Sequence, residues 1–532
     1  MSGSHGSGSD PAKVSVIDAS LPPGLSPTPE RHVVTDCAEP GAGLSFAPMS
    51  PDLPPGHGAL PPWNVAELEA PPRFSFRNLF KVIGPGAVMA ATSIGGGEWL
   101  VGPAVAVKYS SQIFLIATVA IALQVIFNLE AIRYTLYTGE PILAGIMRLA
   151  PGPRPWAAFY TLLGFFQLGW PALAGSAAAT LLGAWIGRMP GASDQATHAW
   201  IATALIVAVV VILSFGGTIE RMLEYFAWVM LGVVFTFLLV VNVAFVPAAH
   251  WLHTFAGFFR LSGLPHPVDW GLLGALAATA GSGGLGNLTI TNWIRDKGFG
   301  MGAKVGAIPS AVGGHALPLS PVGSVFPTTP ANLARWREWL RYVHVDQVWV
   351  WGLFCFVGMF LNVNMATAIV PHGTDLQGLA AGAYQAEYLA KIWPGFWFLT
   401  LFNGFWILFK TQLGNTDVLV RTTADALFIA HPRVREGLGI RAIYYGILLV
   451  FSIWGVLAVR SASPFQLFKV LANIAGFVLV VAGIQILRVN RRFLPRAVRA
   501  PLWREAGLLL CVVFYAFFSW FGLQAVLRSL LE

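Results

Sequence analysis

Apolar residues run along this chain in blocks of about twenty, divided by short polar stretches, from residue 81 to near the end. Blocks of that length match the roughly 20 residues a helix needs to cross a bilayer. Eleven are read, at 81–107, 112–137, 155–186, 198–215, 219–246, 270–294, 343–369, 393–414, 441–459, 464–487 and 506–529. Residues 1–75 break the pattern, being rich in Pro, Gly, Ser and Ala without helical periodicity. Such a segment cannot bury enough apolar surface to offset its chain entropy. It is expected to be a disordered cytoplasmic tail, with residues 76–532 forming the membrane domain.

Two of the apolar blocks are interrupted. The first carries Ala90-Ala91-Thr92-Ser93-Ile94-Gly95-Gly96-Gly97-Glu98. Glycine weakens a helix by roughly 1 kcal/mol relative to alanine. A charge at the bilayer centre costs about 2.5–3.5 kcal/mol on insertion scales. Both costs at one place predict a helix broken at membrane depth. The sixth block repeats the signature as Ala277-Ala278-Thr279-Ala280-Gly281-Ser282-Gly283-Gly284. Paired glycine-interrupted spans in corresponding halves point to the binding site of a secondary transporter.

Composition agrees: 55% of residues are hydrophobic and 11% charged, with a net charge of +8. The charge does not predict a nucleic-acid partner, because Lys and Arg gather in loops between apolar blocks. With the N-terminus inside, the inner segments hold Arg73, Arg77, Lys81, Arg148, Arg154, Arg221, Arg295, Lys297, Lys304, Arg335, Arg337, Arg341 and most of the remaining Arg. The outer segments hold little beyond Lys108, Arg188, Arg260, Lys391, Arg460 and Arg528. The positive-inside rule then predicts a cytoplasmic N-terminus and, with eleven spans, a C-terminus outside; the protein is expected in a bacterial inner membrane. The three cysteines lie far apart, so no disulfide framework is expected. No Walker A, Ser-His-Asp or HExxH pattern is found, so neither an enzyme nor a cofactor is expected.

A broken helix frees backbone groups that must find partners. Carbonyls ending the first halves favour cations, and N–H groups opening the second halves favour anions. Gly95, Gly96, Gly97, Gly281, Ser282 and Gly284 are therefore the candidate substrate contacts. Glu98 has two readings: a cation ligand or proton-coupling carboxylate, or an acid in the first turn of the outer half-helix, stabilised by the helix dipole and a buried cation such as Lys410. Asn287 and Thr291 share a face by their spacing, either lining the site or bonding between helices. Arg295 and Asp296 are expected at the cytoplasmic surface. Lys410, Gln412, Asn415, Asp417 and Arg421 are read near the inner end of span 8, as interfacial charges or as an inner gate with Glu130, Arg133 or Glu224. Residues 333–342 read either as an interfacial helix or as an extension of span 7, and 376–391 as a short helix over the outer vestibule.

From Gly84-Pro85-Gly86 to about residue 490 the chain resembles the natural resistance-associated macrophage protein (Nramp) family of divalent metal transporters. The resemblance rests on that opening, on Leu129-Glu130-Ala131-Ile132-Arg133 with Thr138-Gly139, on Leu340-Arg341-Tyr342 with Asp346, and on Phe360-Leu361-Asn362. It implies an all-α fold like that of the amino-acid transporter LeuT. Two inverted repeats of five spans would cover about 81–246 and 270–487, with helices 1 and 6 broken and an extra helix at 506–529. The family's D-P-G-N falls on Gly95, Gly96, Gly97 and Glu98, and its M-P-H on Gly281, Ser282 and Gly283. The family's ligand set is therefore replaced here. Third-helix acids are also missing, Gln167 being the one strongly polar side chain in Gly164–Ala179.

The family implies a divalent cation as the transported solute, held by Glu98 and backbone carbonyls and coupled to protons or sodium. Without a soft Met ligand, Mg²⁺, Ca²⁺ or Mn²⁺ would be favoured. A small amino acid or carboxylate is the alternative, because glycine leaves room for it. A non-transporting sensor or scaffold that kept the fold is the third.

Overall fold

In a computed structural model, residues 52–54, 56–215, 219–308, 319–378, 380 and 382–531 are described. Residues 1–51 of the expected tail, Cys37 and Arg221 among the inner charges, and Pro309 and Pro318 of the long loop lie outside the described residues or their described side chains.

Eight helices among the described residues are long and apolar enough to cross a membrane. They correspond to spans 2, 3, 4, 5, 7, 9, 10 and 11. The three predicted spans that fail this simple test are those with unusual chemistry. Span 1 is split into Pro85–Ser93 and Gly102–Tyr109, joined by a widened turn over Gly96–Val101. Span 6 is split into Trp270–Thr279 and Leu285–Asp296. Span 8, Gly395–Ala430, is continuous but carries Lys410, Asp417, Arg421 and Asp425.

Several boundaries move. Span 8 runs sixteen residues past its predicted end, because its polar residues are partnered by neighbouring helices rather than by water. Span 3 is interrupted before Pro171, giving Pro153–Leu168 and Ala172–Ile186. The helix Pro330–His344 continues through Val345–Gly352 into Leu353–Ile369, so 333–342 is an extension of span 7. The outer helix is Tyr384–Ala390, within the predicted segment. Span 11, Leu502–Leu531, packs on span 10, on the first half of span 6 and on span 2. Cys355 and Cys511 are buried free thiols.

Residues 56–75 correct the expectation of a disordered tail. They pack beside Arg148, Lys304 and Arg335, on the side read above as inner. Asn64–Val65 pairs in parallel with Ser324–Val325 of the long loop. Trp63 stacks under the Arg148 guanidinium, 4.0 Å from its ring centre. Arg148 Nη1 donates to the carbonyls of His57 and Pro61, at 2.8 Å each. Arg335 donates to Leu68 O at 2.8 Å, and the Trp339 indole to Glu69 O at 2.9 Å. The segment has too few apolar residues for a core of its own, but it borrows one. Trp63 and Leu68 are buried against the helices.

Arg148 is fixed in turn by Glu140, whose Oε1 lies 2.5 Å from Nη2. Burial alone would raise the Glu140 pKa. The Arg148 charge, with hydrogen bonds from Arg148, Tyr134 and the Gly323 N–H, outweighs it and holds this carboxyl below its ordinary 4.5. A depressed folded-state pKa contributes stability above the unfolded value, and that contribution is lost as pH falls through the folded one. The melting temperature in detergent is therefore expected to fall on acidification below about pH 4.5, and less steeply in Glu140→Gln. That variant loses one charge-assisted partner and should cost about 2 kcal/mol at neutral pH. Equal acid profiles for the two proteins would exclude this role.

Candidate functional site

The breaks in spans 1 and 6 meet. The Gly97 α-carbon faces the Thr279 carbonyl oxygen so closely that a β-carbon there could not be accommodated. Gly95 faces Thr411 of span 8, and Gly96 faces Phe468 of span 10. The room that glycine leaves is thus filled by neighbours, which corrects the expectation of a wider cavity.

Glu98 is fully buried. Its Oε2 accepts the Gly95 N–H at 3.0 Å, capping the turn that opens the outer half of span 1. Its Oε1 is buried with no hydrogen-bond partner among the described residues. The capping reading of Glu98 thus has a counterpart in Oε2.

The carbonyls ending the first half of span 1 are taken by Lys410. Its Nζ donates to Ala91 O at 2.5 Å and to Ile94 O at 2.7 Å. The residue is 5% exposed. Its place is mid-helix beside the break, not at the inner end of span 8. Carbonyls expected to help Glu98 hold a metal already bind an ammonium group.

At the second break, Gly283 and Gly284 adopt positive φ angles of 73° and 60°, which glycine reaches without strain. The helix is thereby interrupted, and backbone N–H groups are left without carbonyl partners in it. Two amide side chains satisfy them. Gln124 Oε1 of span 2 accepts from Ser282 N at 3.0 Å and Gly283 N at 3.2 Å, while its Cδ amide lies against Gly281. Gln167 Oε1 of span 3 accepts from Leu285 N at 3.0 Å, and its Nε2 donates to Gly283 O at 3.3 Å. Sequence reasoning singled out Gln167 and missed Gln124. The available signal was an isolated amide in an otherwise apolar run, which must find a partner in the bundle.

Asn287 joins a polar chain on the inner side of the breaks. Its Nδ2 donates to Asn128 Oδ1 at 2.9 Å, Asn128 Nδ2 donates to Gln347 Oε1 at 3.0 Å, and Gln347 Nε2 donates to Asp346 Oδ2 at 2.9 Å. Asn287 Oδ1 is buried and unpartnered among the described residues. Thr291 is not part of this chain, since its hydroxyl bonds Leu288 O at 2.6 Å and Ile142 N at 3.1 Å. On the outer side, Trp99 Nε1 donates to Gly382 O at 2.8 Å and Gln385 Nε2 donates to Trp99 O at 3.1 Å. The segment carrying the outer helix is thus tied to the first break.

Arg295 and Asp296 are buried rather than superficial, with side chains 2% and 1% exposed. They join Asp417, Arg421 and Asp425 of span 8 in a network beneath the second break. The predicted gate with Glu130, Arg133 or Glu224 is not what forms there. Glu130 pairs with Arg133 and Arg504, and Glu224 with Lys297. Among the described residues, no group of three or more His, Cys, Asp or Glu is placed to hold a metal ion.

No family model matches the sequence, and no curated protein matches it. Solved structures do match its fold. A single-residue variant of the manganese transporter from Eremococcus coleocola superposes with a TM-score of 0.63 at 15% identity, covering 88% of this chain and 91% of that one. The same transporter bound to an aromatic bis-isothiourea substituted compound gives 0.62 at 14% identity, covering 90% and 92%. Mhp1, a nucleobase-cation-symport-1 family transporter with bromovinylhydantoin bound, gives 0.45 at 15% identity, covering 88% and 93%. The chain is an all-α integral membrane protein of the LeuT-like fold, two inverted repeats of five spans whose first helices are broken, with a further helix appended.

Proposed function

We propose that this protein is a secondary-active transporter that works by alternating access, and that its substrate is a small organic solute bearing an N–H or O–H donor. The observation that carries the reading is the buried, unpartnered Oε1 of Glu98 where the two breaks meet. A buried carboxylate oxygen without a donor is costly, so a site that keeps one is built to receive something. Asn287 Oδ1 offers a second open acceptor from the other broken helix. An open carboxyl oxygen suits an amine, amide or hydroxyl group. It suits a bare hard cation less well. Ca²⁺ and Mg²⁺ take about six or more oxygen ligands, and the first-break carbonyls are engaged by Lys410.

A second reading keeps the divalent cation. Glu98 Oε1 would hold it, with retained water completing its shell, and the fold is shared with a manganese transporter.

A thermal-shift screen of the purified protein in detergent separates the two. Amino acids, simple amines and small polyols would be tested beside Mn²⁺, Mg²⁺ and Ca²⁺, each repeated on Glu98→Gln. An organic solute is expected to raise the melting temperature of the native chain. It should bind about tenfold to hundredfold more weakly to the variant, the loss of one hydrogen bond to a charged group. A shift from divalent metals alone, abolished in the variant, would transfer the assignment to the second reading. Any binder would then be followed by uptake into proteoliposomes, and its absence would overturn transport.

A further inference from the structure

We propose that Lys410 is a built-in cation. Its ammonium occupies an oxygen seat at the first break that would otherwise bind a free alkali ion, so the protein needs no inorganic cation at that place. The inference rests on reading the breaks as the transport site, but its test does not depend on finding the substrate.

The seat is made of oxygens. Ala91 O and Ile94 O end the first half of span 1, where the helix dipole leaves partial negative charge. Both lie within 2.7 Å of Lys410 Nζ. Thr411, the next residue on span 8, turns its hydroxyl to Ile407 O at 2.8 Å and lies 3.5 Å from Ile94 O. Glu98, in the first turn beyond the break, adds an acidic side chain nearby. Two carbonyls, a hydroxyl and a nearby carboxylate are the donor types that hard monovalent and divalent cations use.

An ammonium in hydrocarbon is expensive unless it is paired and hydrogen-bonded. Lys410 is hydrogen-bonded to two carbonyls here. Span 8 presents it directly opposite the gap in span 1, four residues before Gly414, which packs closely on Thr92. Thr411 beside it faces the same break, against Gly95.

Removing the ammonium leaves the Ala91 and Ile94 carbonyls without a donor. A free cation of similar charge should then enter. In Lys410→Met, Na⁺ is expected to stabilise the purified full-length chain in a saturable way. Melting would be followed in NaCl against N-methyl-D-glucamine chloride at constant ionic strength. The native protein should show no sodium-specific shift. The variant should gain about 1 °C at a sodium concentration about tenfold above its Kd. Lys410→Arg, which keeps the charge, should behave like the native chain.

Lys410→Gln serves as a second neutral variant should the methionine pack poorly. If a neutral variant is unstable without sodium and recovers with it, the proposal is supported. Neutral variants that fold but show no preference for Na⁺, Li⁺ or K⁺ would overturn it. So would variants that fail to fold in every salt, or a native chain that already binds Na⁺. Gained sodium binding with no solute flux would leave this inference standing and remove the transport reading. Flux with no gained binding would do the reverse.

Discussion

Replacing Arg421 by Leu should cost about 4 kcal/mol of stability, the range found when one partner of a buried ion pair is removed. The Arg421 side chain is fully buried. Its Nε and Nη2 donate to the two Asp417 oxygens at 2.9 and 3.1 Å, and its Nη1 to Asp296. Asp417 is held further by the Tyr444 hydroxyl at 2.7 Å and the Trp293 indole at 3.1 Å. Arg295 bridges the rest, with Nε 2.7 Å from Asp296 Oδ1 and Nη1 2.9 Å from Asp425 Oδ2. Three carboxylates therefore share two guanidinium groups among the described residues. Without Arg421, three carboxylates would share one, out of reach of water.

Leucine fills much of the same volume, so the loss would report charge and not a cavity. Denaturant or thermal unfolding in micelles measures it. The double variant Arg421→Leu with Asp417→Leu should recover most of the loss, because it removes the stranded charge as well as its partner. A cost for Arg421→Leu of only about 1 kcal/mol, typical of an exposed pair, would show that water reaches the network. The network ties the inner half of span 6 to spans 8 and 9. Any opening between these elements toward the inner face must break it, and the double variant should make that opening easier.

This network also shows where the sequence stopped being informative. Apolar length is local, so spans 2, 5, 7, 10 and 11 were readable from residue order alone. The cost of glycine and of Glu98 inside an apolar block is local too, and both breaks were found from it. Partners are not local. Span 8 was cut at residue 414 because four ionisable residues depress its hydropathy, although Asp417, Arg421 and Asp425 recur every four residues on one helical face. That spacing could have shown that the helix continues. The destination of those charges, on the inner half of span 6, could not be read from it. Gln124 and Gln167 are similar: each is an isolated amide that must be satisfied, but neither names the bare N–H groups of a helix distant in sequence. The disordered-tail expectation failed for the same reason, since residues 56–75 borrow apolar partners from a loop more than two hundred residues away.

Gly97→Ala is expected to be the most damaging single-methyl change in the protein. Overpacking a filled site costs about 1–3 kcal/mol when side chains can yield. Here the obstacle is main chain. The added carbon would lie well inside any permitted separation from the Thr279 carbonyl oxygen. Thr279 is the last residue of the first half of span 6, and its hydroxyl is tied back to Ala275 O at 2.7 Å. It cannot swing aside without moving the helix end and the Gly281–Gly284 turn behind it. Gly97 itself lies in the turn Gly96–Val101, between Gly95, which caps onto Glu98, and Glu98 itself. The strain would therefore spread into both breaks, where the free Glu98 oxygen sits. Gly446→Ala in span 9 is the matched control, because nothing lies within 4 Å of its added carbon. A helical glycine replaced by alanine in open space gains up to about 1 kcal/mol. The control should melt at or above the native temperature, whereas Gly97→Ala should melt far below it and lose any solute-dependent shift. If Gly97→Ala melted with the native protein, the two breaks would not be in contact. A substrate seat formed between them would then have no structural basis.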